Sequence, residues 1–269
     1  MHDRVERHFA GEAADGIAWA TLNRPKQMNA FSDQMRDDLI AFLSNVEHDP
    51  SVRCVVLRGA GNHFMAGGDI KSFTEHMAMD ADARRAHFES TCHAMHPIIY
   101  LLRRMPKPVL VSVNGACAGL GFSLVLACDL AIAADNAFFT TAYTKIGTSP
   151  DGGSTYFLPR TLGMKRAMEL ALLSDRIEAV DAERLGVVNR VVPAAELVQE
   201  TAKLAERLAK GATKAIARTK LLLNQSLDSS LESQLQAEGI GFGACAATSD
   251  MVEGVNAFLE KRAPDFANR

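Results

Sequence analysis

The chain has 269 residues, is 48% hydrophobic and carries a formal net charge of −3. That length and apolar content suffice for a large core, in one domain or a domain with a small appendage, and exclude a disordered chain. The nearly balanced charge offers no basic field for nucleic acid, and five cysteines (Cys54, Cys92, Cys117, Cys128, Cys245) without C-x-x-C spacing read as reduced, mostly buried thiols of a cytoplasmic protein.

The N-terminal stretch MHDRVERHFAGEAADG lacks the apolar segment of a signal peptide and carries several acids, so neither export nor organelle import is expected. Residues 17–22 and 52–57 read as strands, and Met35, Leu39, Phe42, Leu43 and Val46 keep helical spacing between them. The stretch 73–91 reads as a helical loop that walls a pocket. Residues 109–113 and 130–133 add strands around an apolar helix. This strand–helix–strand alternation predicts parallel pairing with right-handed crossovers. The uncharged run 109–128 is long enough to span a bilayer, but Asn114, three glycines and the closing Asp129 favour a strand buried on both faces followed by a core helix. From Met164 onward the pattern is helical over 164–173, 179–185, 194–209, 213–224, 230–246 and 251–262, with one short strand over 187–192.

Two strand ends carry glycine-rich turns. The segment 114–129, NGACAGLGFSLVLACD, leaves its strand through Gly115, Gly119 and Gly121 and opens the apolar helix. A helix's first turn has unpaired N–H donors, reinforced by the peptide dipoles, and stabilises an anion or a developing oxyanion. By itself such a turn is a packing device, and Leu124 stands where a dinucleotide fingerprint needs its third small residue. The second turn, HFMAGGDIK over 63–71, also follows a strand pattern. A thioester carbonyl becoming an enolate needs two donors converging on its oxygen, and two strand ends supply two sets.

These segments resemble the crotonase superfamily, the enoyl-CoA hydratase and isomerase group. The similarity runs from TLNRPKQMNAFS (21–32) through MAGGDIK (65–71), PKPVLVSVNGACAGLGFSLVLACDLAIA (106–133) and KIGTSPDGGSTYFLPRTLG (145–163) to EGVNAFLEKRAPDF (253–266). The resemblance implies an α/β spiral of β-β-α turns over residues 1–200 that binds acyl-CoA, and a C-terminal helical trimerisation region over 201–269. It implies a homotrimer or dimer of trimers acting on an acyl-CoA thioester, with no cofactor beyond the CoA of the substrate and no nucleic-acid or membrane partner. Motif matching puts the two oxyanion amides on Gly68 and Leu120. CoA is expected across Ala66, Asp69, Ile70 and Lys71. Arg24 and Lys26 are candidates for its phosphate or pantetheine side, with solvated charge the equal alternative. Lys261 and Phe258 are candidates to reach a neighbouring subunit's CoA, and an amphipathic terminal helix explains them as well.

The chain departs from the hydratase pattern at the acid–base positions. Two glutamates of that pattern match Ser123 and Tyr143 here, and hydroxyls with reference pKa values of about 10 or above are poor bases at neutral pH. One carboxylate remains, Asp151 in TSPDGGSTY. A Pro-Asp-Gly run alone spells an ordinary β-turn; the resemblance places this loop over the acyl pocket and makes Asp151 the single acid of the isomerase branch. Phe122, Ile146 and Phe157 are expected to raise its pKa by desolvation. The expected activity is an enoyl-CoA isomerase, converting 3-enoyl to 2-enoyl esters or performing a related ring isomerisation, with Ser123 and Tyr143 lining the pocket. Three alternatives stay open: a hydratase lacking the usual glutamates, an aryl-CoA dehalogenase using Asp151 as nucleophile with His96 nearby, and a non-catalytic acyl-CoA binder. His87, His93 and His96 lack a ligand motif and read as partly exposed helix residues rather than a zinc site.

Overall fold

Val109, Val111 and Val113 join one buried apolar cluster while Leu110 joins another. The same division separates Val55 and Leu57 from Cys54 and Val56, and Ala131 and Ala133 from Ile132 and Ala134. Side chains alternate across a strand, so such strands must be covered on both faces. In the computed structural model, which describes residues 8–266, they form the middle of a six-stranded sheet.

The strands are β1 (Phe9–Ala14), β2 (Ile17–Leu22), β3 (Cys54–Gly59), β4 (Val109–Val113), β5 (Ala116–Ala118), β6 (Leu130–Ala134), β7 (Phe138–Thr140), β8 (Ile177–Glu178) and β9 (Arg190–Val192). The helices are α1 (Asp33–His48), α2 (Ile70–Thr74), α3 (Ala81–Arg104), α4 (Leu120–Ala127), α5 (Ser154–Leu162), α6 (Met164–Leu173), α7 (Ala179–Arg184), α8 (Leu197–Ala209), α9 (Thr213–Ser226), α10 (Leu231–Ala246) and α11 (Ser249–Leu259). The large sheet runs β1-β2-β3-β4-β6-β9, and a small one runs β5-β7-β8. Pairing is antiparallel for β1 with β2 and parallel from β2 through β9, as the alternation of elements predicts.

Successive turns of chain repeat one path. β4 enters the large sheet, β5 the small one, and α4 follows; β6, β7 and then α5 do the same. The preceding turn uses β3, a single bridge from Met65 to Cys117, and then α2 and α3. This is the expected spiral of β-β-α turns. One face of the sheet takes α8, whose Leu197, Ala205 and Ala209 pack on Val56, Leu110 and Ile132. The other face holds the larger core around α1 and α4.

The run 109–128 proves to be β4, β5 and α4, and among the described residues no helix is long and apolar enough to cross a membrane. Three expectations need correction. The turn after β4 does not open directly into α4, because β5 lies between them. The stretch 73–91 is not a loop: it holds the end of α2 and much of the 24-residue α3, started by the Asp80 carboxylate accepting from the Asp82 and Ala83 amides. The C-terminal half contributes β8 as well as β9. Strands of two or three residues are too short to display a period, and α3 buries only Met95, Ile98 and Leu102 along its length.

Candidate active site

The turn before α4 and the turn before α2 meet. Gly119 has φ of +52°, a conformation open to glycine at low cost, and its amide donates to Thr140 O at 3.0 Å. A Cβ added at Gly119 would lie 3.6 Å from Gly67 Cα, so the two loops abut at the residues just before Leu120 and Gly68. The Met65 and Ala118 backbones bond across the same junction. The Gly68 and Leu120 amides have no hydrogen-bond acceptor among the described residues. Two free donors on touching loops, one at a helix N-terminus, can serve a single oxygen.

Asp151 lies beside this junction. Its neighbour Gly152 packs so closely that a Cβ there would meet Leu120 Cδ1 and Ser123 Cβ, each at 2.8 Å. Asp151 Oδ1 accepts from the Tyr143 hydroxyl at 2.5 Å, and Oδ2 accepts from Cys92 Sγ at 3.8 Å. Ser123 Oγ donates to Asp151 O at 2.9 Å and lies 2.6 Å from Ser154 Oγ and 3.2 Å from Tyr143 Oη. With the Ser123 proton on a carbonyl and the Tyr143 proton on a carboxylate, Ser154 is left as donor to Ser123.

Burial pushes the Asp151 carboxyl above the usual carboxylate range, against the Tyr143 and Cys92 hydrogen bonds that favour its charged form. Burial, then the adjacent Asp151 charge, pushes the Tyr143 phenol far above its ordinary value, so it holds its proton. Of the apolar neighbours expected around the acid, Phe122 and Phe157 are buried, whereas Ile146 is half exposed in the turn after Tyr143.

The description "enoyl-CoA hydratase/isomerase" belongs to the family whose model matches residues 12–269. The chain belongs to this family. A Rhodobacter capsulatus protein named "Probable enoyl-CoA hydratase" is 38% identical over 259 residues, covering 96% of this chain and 97% of that one. The 1,2-epoxyphenylacetyl-CoA isomerase of Escherichia coli is 37% identical over 254 residues, covering 94% and 96%. The crystal structure of an enoyl-CoA hydratase from Polaromonas sp. JS666 superposes with a TM-score of 0.90 at 34% identity, covering 96% of this chain and 98% of that chain. The fold is that of crotonase-type structures, and the chain is an enoyl-CoA hydratase/isomerase family enzyme.

Within this family member, the residues expected along CoA are divided by the structure. Arg24 is already engaged: its guanidinium pairs with Asp69 Oδ2 at 2.8 Å and donates to Ala30 O at 2.7 Å. That pairing, with the hydrogen bonds Asp69 accepts from Arg24 and the Lys71 and Ser72 amides, holds the Asp69 carboxyl below its usual range despite burial. Asp69 also caps α2 by accepting from the Lys71 amide. Arg24 and Asp69 thus set the shape of the loop, while Lys26, Ile70 and Lys71 are exposed and Ala66 is half-buried. Lys261 sits past α11 with φ of +54°, and Phe258 is 83% exposed.

Sequence reasoning missed four residues here. Cys92 and Ser154 contact the acid network directly. Phe73 lies over Gly68, where a Cβ would come within 3.1 Å of its ring. Buried Asn29 donates to Ala60 O and His63 O and accepts from the Arg24 amide, tying two site loops together. For Cys92 a signal existed: it stands one helical turn before His96, whose charge acts on Asp151.

Proposed function

We propose that this enzyme is an enoyl-CoA isomerase that moves a double bond, from a 3-enoyl to a 2-enoyl ester or within a ring-bearing acyl group, with Asp151 as its only acid–base group. The observation that carries this reading is the direction of the protons around Asp151. Tyr143 and Ser123 both donate toward residue 151. Neither can take a proton from water as a hydratase's base must, and no second carboxylate joins the network among the described residues.

One carboxylate is enough for a 1,3-proton shift. The Gly68 and Leu120 amides donate to the thioester oxygen and stabilise the negative charge that reaches it when the acidic carbon loses its proton. Asp151 takes that proton, the C–H electron pair spreads into a dienolate, and the acid returns the proton two carbons along. The double bond moves and the protein ends in its starting state. A carboxylate whose burial raises its proton affinity is better matched to this exchange than an exposed one. No group beyond the CoA of the substrate is required. The exposed apolar faces of α9 to α11 support assembly of the 201–269 region into a homotrimer or a dimer of trimers around the 1–200 core.

The test is ultraviolet monitoring of 3-enoyl-CoA, 2-enoyl-CoA and 4-chlorobenzoyl-CoA with wild type and Asp151→Asn. Conjugation should appear from the 3-enoyl ester with wild type and be lost by at least about 100-fold in the variant, while affinity for the CoA ester stays nearly intact. Loss of conjugation from the 2-enoyl ester would restore the hydratase reading, chloride release would support the dehalogenase, and inertness toward all three esters would favour a binder.

A further inference from the structure

The two oxygens of Asp151 are held very differently. Oδ1 is fixed by the Tyr143 hydroxyl at 2.5 Å, and the Tyr143 ring is itself set against Gly119, where a Cβ would lie 3.9 Å from Cζ. Oδ2 accepts from the Cys92 thiol at 3.8 Å, reaching over from α3. A thiol is a weak donor and a phenol a strong one, so the two hydrogen bonds differ greatly in how readily a ligand displaces them.

We infer that Oδ2 is the oxygen of Asp151 that carries the proton, and that Cys92 is a positioning residue that holds this oxygen charged and aimed until the substrate carbon replaces the thiol. The inference rests on the proposed role of Asp151 as the proton shuttle. The strong Tyr143 hydrogen bond draws charge from Oδ1 and makes it the less basic oxygen, whereas Oδ2 exchanges only a long thiol contact. During the shift the C–H electron pair stays on the acyl group, the proton goes to Oδ2, and the same oxygen returns it to the second carbon. Cys92 gains and loses no covalent bond.

Three features suit Cys92 to this task. It is half-buried, so the Sγ–H contact is shielded from competing water. Burial first, and the Asp151 charge second, push its thiol upward, so it stays a donor at neutral pH instead of becoming a repelling thiolate. His96 follows one turn later on α3 and favours the charged form of the same carboxylate. Cys92 therefore favours the ionised acid without locking it.

The test is the pH dependence of kcat/KM for 3-enoyl-CoA isomerisation by wild type, Cys92→Ala, Cys92→Val, Cys92→Ser and Asp151→Asn, each checked by circular dichroism. Alanine and valine both remove the donor but leave different space, so either one carries the test if the other fails to fold. Each should move the acidic limb upward by about half a pH unit, with KM little changed. Serine, which keeps a donor, should bring the limb back toward wild type. An unmoved limb in the folded alanine or valine variant, or a serine variant shifted as far as alanine, would overturn the role of Cys92 while Asp151→Asn remains inactive. Full activity of Asp151→Asn would instead overturn the proton-shuttle reading on which the inference rests.

Discussion

Lys220 Nζ lies 2.7 Å from Asp129 Oδ2, with the side chains only 7% and 17% exposed. Lys220 also donates to Leu102 O and Lys107 O, and Asp129 Oδ2 accepts from the Val109 amide. One ion pair thus ties α9 to the end of α3 and to the starts of β4 and β6, which are neighbours in the large sheet. Beside it, Arg103 and Asn224 bond to each other, repeating the α3–α9 connection.

Burial pushes Asp129 upward and Lys220 downward, so each ion is costly by itself and is held by its partner and the surrounding carbonyl and amide groups. Lys220→Met strands the Asp129 charge and should cost about 3–5 kcal/mol in urea unfolding. Adding Asp129→Asn should recover part of that loss. A single variant within about 0.5 kcal/mol of wild type would show that the pair is not a structural tie.

The raised Asp151 carboxyl has opposite consequences for activity and stability. In its proposed role as proton shuttle Asp151 must be ionised to accept a proton, so kcat/KM should rise with pH through a limb above the usual carboxylate range. The fold favours the protonated acid, so this group's effect on stability is best at low pH. It is lost as pH rises from the unfolded-state value through the folded-state one, the reverse of a salt-bridged acid. Asp151→Asn should abolish the kinetic limb and flatten this component of the stability profile. An acidic limb at an ordinary carboxylate value would contradict the burial of Asp151.

Gly152 tests the closeness of Asp151 to the turn that opens α4. Its φ is +58°, and a Cβ would press on Leu120 and Ser123. Gly152→Ala should lower kcat by at least about 10-fold and destabilise the fold by about 1–3 kcal/mol. Thermal melting beside steady-state kinetics measures both; wild-type kcat in the alanine variant would mean that Asp151 can work from a displaced loop.

The C-terminal helices carry several exposed large apolar side chains. Leu231, Leu235 and Phe242 share one face of α10 at 69%, 57% and 70% exposure, and Leu223 and Leu227 are exposed on or beside α9. Sedimentation velocity should show a trimer or hexamer for wild type, and Leu235→Glu with Phe242→Glu should shift it to smaller species. A wild-type monomer would count against the trimerisation reading of residues 201–269.

Much of this architecture was legible because burial on both sheet faces writes near-continuous apolar runs into β2, β3, β4 and β6, and helical spacing marks α6 and α8 to α11. The boundaries of β2, β4 and α6 agree with the sequence reading to the residue. The elements that escaped it are short or weakly patterned. β5 and β7 have three residues each, and β1 buries only Phe9. The 24-residue α3 mixes histidines, arginines and an internal Pro97 with few buried positions.

The sequence by itself determined the family and the two glycine-rich turns at strand ends, since these lie in contiguous segments. Tertiary structure decided which side chains those segments meet. It paired Arg24 with Asp69 across 45 positions and set Cys92 against Asp151 across 59. Such contacts depend on how α3 and the loops lie over the sheet. That is fixed by the packing of the whole core; no local pattern around Arg24 encodes it, and at Cys92 only the helical spacing to His96 points toward it.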